Sequence, residues 1–192
     1  MLVQLLIQIH LNKKSIIMNS KMKSTMLTVA ILWGLGSCAQ LPKGATAVTQ
    51  FDADRYLGKW YEIARFDFRF ERNLNNTTAN YSLNDDGTVK VVNRGYNYVK
   101  NKWQEAEGKA KFAGDRTVAS LKVSFFGPFY APYNVIALDE NYQYALIVGK
   151  NTDYMWILAR EKTIPESVKT QYLQIATDLG FDVSKLIWVK HE

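Results

Sequence analysis

Thr77-Thr78-Ala79-Asn80-Tyr81-Ser82-Leu83, then Asn84-Asp85-Asp86-Gly87, then Thr88-Val89-Lys90-Val91-Val92-Asn93-Arg94-Gly95-Tyr96-Asn97-Tyr98, reads as two β-rich runs around a cluster of turn formers. Runs of Thr, Val and Tyr suit a pleated surface, and an Asp-Gly between them is a hairpin signal. The same rhythm extends on both sides. Strands are predicted over 59–66, 77–83, 88–98, 102–112, 118–125, 133–138, 144–150 and 154–160. Turn residues fall at 84–87, 99–101, 114–115, 127–128, 139–141 and 151–153. Short connections make sequential neighbours antiparallel. Eight such strands without an intervening helix point to an all-β, eight-stranded antiparallel up-and-down barrel, in which closure removes the exposed edges.

Beyond Arg160 the period changes. Thr163 as N-cap, Glu166 three residues later and Pro165 in the first turn form a helix start. Val168, Tyr172, Ile175 and Leu179 then make one apolar stripe, with Gly180 as the stop. One amphipathic C-terminal α-helix must lie on the outside of the barrel, and a short terminal strand over 185–190 would pair beside it.

The amino-terminal part is of another kind. Met18 to Lys23 is basic, Met26 to Leu35 is mostly apolar, and Gly36-Ser37-Cys38 closes the segment. This is the layout of an export signal, too short in its apolar part for a spanning helix. Leu35-Gly36-Ser37-Cys38 resembles the lipobox of bacterial lipoproteins, in which the cysteine sulfur takes up a diacylglyceryl group. Cys38 is the only cysteine of 192 residues, and it falls where lipidation requires it. Residues 1–37 are read as leader and lipoprotein signal, 38–50 as a spacer after the lipidated cysteine, and 51–192 as the barrel domain. Two or three acyl chains make a stable tether where one is marginal. Ala39 after the cysteine resembles lipoproteins sorted to the outer membrane.

Composition excludes several function classes. The net charge of +6 includes Lys13, Lys14, Lys21 and Lys23, which precede Cys38, leaving 20 basic against 18 acidic side chains interleaved along the rest. A nucleic-acid binder would concentrate its basic residues on one element. A single cysteine allows no intramolecular disulfide or Cys-rich metal site, and two histidines, His10 and His191, argue against a His-based metal site. No constellation for nucleophilic catalysis accompanies them, so neither a cofactor, a metal nor an enzymatic activity is expected.

Three stretches carry a family resemblance. Gly58-Lys59-Trp60-Tyr61 resembles the Gly-x-Trp motif of the lipocalins, Asp139-Glu140-Asn141-Tyr142 before Tyr144 to Val148 resembles their second conserved stretch, and Trp156-Ile157-Leu158-Ala159-Arg160 the third. The resemblance covers 51–189; the chain looks specifically like the bacterial outer-membrane lipocalins and is similar to apolipoprotein D. It implies that Trp60 and Arg160 stack to close the narrow end of the barrel. With both taken as inward, alternation turns Tyr154, Trp156 and Leu158 inside and Met155, Ile157 and Ala159 out, toward the helix. The resemblance further suggests Tyr81, Val91, Asn93, Tyr133 and Val135 as ligand-binding residues beside Trp156.

Two segments stand apart. Five aromatics lie between Phe125 and Tyr133, too many to bury in one connection, and serve either as a membrane-facing rim or as padding. Phe66 to Arg72 resembles the long loop over the open mouth, where Arg65, Arg69 and Arg72 would meet phosphate or carboxylate headgroups or simply be solvated. The expected function is binding, storage or transport of fatty acids, lysophospholipids or related lipids at the outer membrane. Another hydrophobe, such as a tetrapyrrole, retinoid or steroid, is the alternative. An enzymatic lipocalin is less favoured, because the sole thiol belongs to the anchor, and a structural envelope protein with a filled barrel is the third class.

Overall fold

The computed structural model describes residues 40–192, so the signal segment and Cys38 lie outside the described residues. The elements are α1 (Ala53–Tyr56), β1 (Gly58–Arg65), β2 (Leu74–Leu83), β3 (Val89–Asn97), β4 (Lys102–Phe112), β5 (Ser120–Phe126), β6 (Phe129–Leu138), β7 (Tyr144–Val148), β8 (Met155–Ala159), α2 (Glu166–Asp178) and β9 (Ile187–Trp188). Strands β2 to β8 pair in sequence, β1 pairs with β8, and β1–β2 pairing closes the eight-stranded barrel. Every pairing is antiparallel. Strand β4 comes close to β5 at Gly108, where a Cβ would sit 2.8 Å from the Ser124 carbonyl and from the Phe125 ring.

Two apolar clusters divide the chain's hydrophobic residues. One fills the barrel and contains Trp60, Tyr81, Val91, Val135 and Leu158. The other lies outside, where Leu146, Val148, Met155, Ile157 and Ala159 meet Tyr172 and Ala176 of α2. The last strand therefore alternates as expected, with both of its faces covered. Tyr172 fixes the helix further by donating its hydroxyl to the Tyr144 carbonyl at 2.9 Å.

The helix ends as expected and starts later. Gly180 has φ +83°, the Phe181 N–H reaches the Ala176 carbonyl and the Gly180 N–H reaches that of Thr177, a pattern that ends a helix on a left-handed residue. At the other end Pro165, not Thr163, is the N-cap, and no side chain caps it. The physical reason is Pro165 itself, whose ring disfavours helical backbone at Ile164, so the helix cannot begin before the proline is passed.

Other boundaries differ from expectation as well. Strand β6 begins at Phe129 rather than at 133, with Pro132 tolerated opposite Lys122 beside a bulge in the β5–β6 pairing. The terminal strand is limited to Ile187–Trp188, pairing with Ala64 and Arg65, because residues 183–185 form a 3-10 turn. Residues 40–51 form a strap against the barrel rather than a free spacer. The Val48 N–H bonds the Val135 carbonyl, the Ala119 N–H bonds the Val48 carbonyl, and buried Asn134 donates its side-chain N–H to the Gln40 carbonyl at 3.2 Å.

Candidate functional site

The site is the interior of the barrel, which has a closed end, a tyrosine layer, a polar layer and an aromatic mouth. At the closed end Trp60 is fully buried and the Arg160 guanidinium lies 3.9 Å above its ring. Arg160 also donates to the carbonyls of Tyr142, Lys59 and Arg55, and the Trp60 indole N–H donates to that of Tyr56. One arginine thus ties α1, the start of β1 and the β6–β7 turn across the barrel floor.

Above the floor, Tyr133 sits between Tyr56 and Tyr81, with hydroxyl separations of 2.8 and 2.9 Å. Burial, the largest cause for each, pushes all three hydroxyls above the usual phenol range, so they remain protonated. They border a cavity of about 20 Å³ lined also by Phe51, Leu57, Val89, Phe112 and Leu121. Such a space holds about one water molecule. The closed half of the barrel is therefore packed.

Toward the mouth the lining becomes polar. A bulge between Glu62 and Ala64 turns both Ile63 and Ala64 outward, which returns Arg65 to the interior two strand positions above Glu62. Arg65 Nη1 donates to Glu62 Oε1 at 2.6 Å, and Nη2 donates to the carbonyls of Glu71 and Leu74. The expectation that Arg65 faces headgroups is thus corrected, since its side chain is 2% exposed. Trp156 Nε1 donates to Glu71 Oε2 at 3.1 Å. Burial above all, then the charge of Glu71, pushes the Glu62 carboxyl well up, with Arg65 opposing. Glu71 is also raised by burial, against the lowering effect of Trp156, Arg65 and Glu62. Thr77 Oγ1, Asn93 Oδ1 and Arg65 Nε are buried in this region without a partner.

The mouth is rimmed by rings. Loop residue Phe70 meets Phe126 at 5.6 Å, and Phe68 packs on Phe70 and Tyr154. Phe70, Phe126 and Phe129 are 51%, 65% and 79% exposed, so much of the aromatic run 125–133 is surface, while Phe125 and Tyr133 pack on the interior cluster. Arg69 covers the Phe70 ring, and Arg72 is engaged with Asp67 at 2.6 Å.

The six suggested ligand-binding residues all belong to the inner face. Tyr81 and Tyr133 line the small cavity, Val91 and Val135 are wall residues, Asn93 shares the face of Val91, and Trp156 is held by Glu71. Sequence reasoning missed Glu62, Glu71 and Tyr56. Alternation from Trp60 would have turned Glu62 inward, but nothing in the sequence marked the bulge that brings Arg65 beside it.

Comparisons with known proteins agree with this architecture. A family model described as "Lipocalin-like domain" matches residues 51–191. The chain is 58% identical over 164 residues to outer membrane lipoprotein Blc of Citrobacter freundii, covering 85% of this chain and 93% of that protein. It is 34% identical to rat apolipoprotein D over 160 residues, covering 79% and 81% of the two chains. The solved structure of insecticyanin from the tobacco hornworm Manduca sexta superposes with a TM-score of 0.64 at 22% identity, covering 80% of this chain and 87% of that one. Sequence motifs, closed barrel, outer helix and family match lead to one assignment: the chain belongs to the lipocalin family.

Proposed function

We propose that this protein is a non-enzymatic carrier that holds a single-chain lipid, such as a fatty acid or lysophospholipid, in the mouth half of its barrel while tethered to the outer membrane through lipid on Cys38. The observation that carries this reading is the gradient along the interior, from a sealed aromatic floor through a polar layer to an exposed aromatic rim. An amphiphile matches such a gradient, because its chain leaves water for apolar walls, gaining about 25 cal/mol per Å² buried, while its head meets fixed polar groups. Relatives named outer membrane lipoproteins support the location, as does the lipobox-like Leu35-Gly36-Ser37-Cys38. Cys38 lies two residues before Gln40, whose carbonyl is already bonded to the barrel, so the tether holds the domain close to the bilayer.

The packed closed half bears on ligand type. A rigid ring system needs a preformed space of roughly 300 Å³ or more. A flexible chain can thread as loop 66–73 lifts, and the exposed rings of that loop and of the β5–β6 turn form an apolar patch of the sort that meets membranes. Titration of the mature chain carrying Cys38→Ser with a fluorescent fatty acid should give saturable binding at micromolar levels, displaced by lysophospholipid. Absence of saturable binding by any single-chain lipid would remove the carrier reading.

A further inference from the structure

The mouth half of the barrel gathers Trp156, Arg65 and Glu62 around Glu71. Trp156 of β8 donates its indole N–H to Glu71 Oε2 at 3.1 Å, and the carboxyl of Glu62 on β1 lies close enough for the two carboxyls to act on each other. Arg65, also on β1, stands beside them with Nη1 on Glu62 and Nη2 on the Glu71 carbonyl, leaving its buried Nε with no partner. The surrounding groups belong to the barrel wall, whereas the carboxylate they receive comes from loop 66–73. The wall has thus built an anion receptor, and the protein's own loop fills it.

We propose that Glu71 occupies the head-group position of the ligand, and that the carboxylate of a fatty acid displaces it, taking over the Trp156 indole N–H and meeting the partnerless Nε of Arg65 as the loop lifts. This inference rests on the single-chain lipid reading above and adds where the head sits and which charge it carries. Exchange of one carboxylate for another leaves the charge of the cluster unchanged. A fatty alcohol of the same chain offers no such exchange. A phosphate monoester is an anion from another source, larger and more highly charged than the group now seated there.

The test uses the mature chain with Cys38→Ser and three ligands of equal chain length: a fatty acid, the corresponding alcohol and a lysophosphatidate. All measurements are made at one and the same pH. Removing the internal competitor by Glu71→Ala should tighten the acid about tenfold and leave the alcohol within about twofold. Glu71→Gln, which keeps the loop's shape, should shift the acid in the same direction by less. Adding Trp156→Phe to Glu71→Ala should weaken the acid several-fold and spare the alcohol. Equal gains for acid and alcohol would make the loop a plain plug and overturn the assignment, as would no gain for the acid. A larger gain for lysophosphatidate than for the acid would overturn the choice of a carboxylate. If no ligand binds the parent or any variant, the carrier reading itself falls, an outcome distinct from alcohol binding without an acid-specific gain.

Discussion

Arg65→Ala lowers stability by about 3–5 kcal/mol at neutral pH, the loss expected when one partner of a buried ion pair is removed. The side chains of Arg65 and Glu62 are 2% and 6% exposed, their contact is 2.6 Å, and the guanidinium also satisfies the carbonyls of Glu71 and Leu74. Without it two carboxyl groups face each other with no cation between them. The deficit depends on pH, and its sign follows from Glu62. Burial and Glu71 raise the Glu62 carboxyl well above its ordinary value of 4.5, so between that value and the folded one the native state binds more protons than the unfolded chain. Stability contributed by this group is fully present below about pH 4.5 and is lost as pH rises through the folded value. Arg65→Ala raises the folded value further, so urea unfolding should show a larger deficit at pH 8 than at pH 5. Equal deficits at both, or a loss below about 1 kcal/mol, would contradict a buried pair at this place.

Trp60→Ala removes the floor of the barrel and costs about 3–5 kcal/mol. The indole is fully buried between Tyr56, 4.8 Å away ring to ring, and Arg160, and its N–H holds the end of α1. Its removal leaves a cavity that the closed sheet cannot collapse into. Arg160→Ala keeps the indole and loses the stacked cation and its backbone bonds, for a smaller cost of about 2 kcal/mol. Fatty-acid affinity should change little in Arg160→Ala, because the head position lies at the opposite end. Thermal melts of the two variants beside the parent check the order. An Arg160→Ala protein melting with the parent would show that the closure contributes nothing.

The readable and unreadable parts of this fold have physical reasons. Alternation identifies an inner face wherever one side of a strand is covered, and so Trp156 and Leu158 were separable from Met155 and Ile157 once Trp60 and Arg160 fixed the phase. The helix stop was legible because only a residue such as Gly180 adopts φ +83° without strain. The start misled because Thr163 and Glu166 have capping-box spacing, while the backbone restriction from Pro165 acts one residue earlier. A bulge leaves no mark in composition, and one extra residue between Glu62 and Ala64 moved Arg65 from a solvated loop end into the interior. The polar layer depends on that shift, and on Glu71 reaching inward from a loop that reads as plain surface.

The central claim, that the mouth half of the barrel carries a single-chain amphiphile, is tested most directly on the full-length lipoprotein extracted from the outer membrane in mild detergent. Native mass spectrometry, followed by solvent extraction, separates a bound lipid from the covalent anchor. The account predicts one non-covalent single-chain lipid per barrel. A barrel without a bound lipid that also fails to take up added fatty acid, or one carrying a rigid ring compound instead, would contradict it.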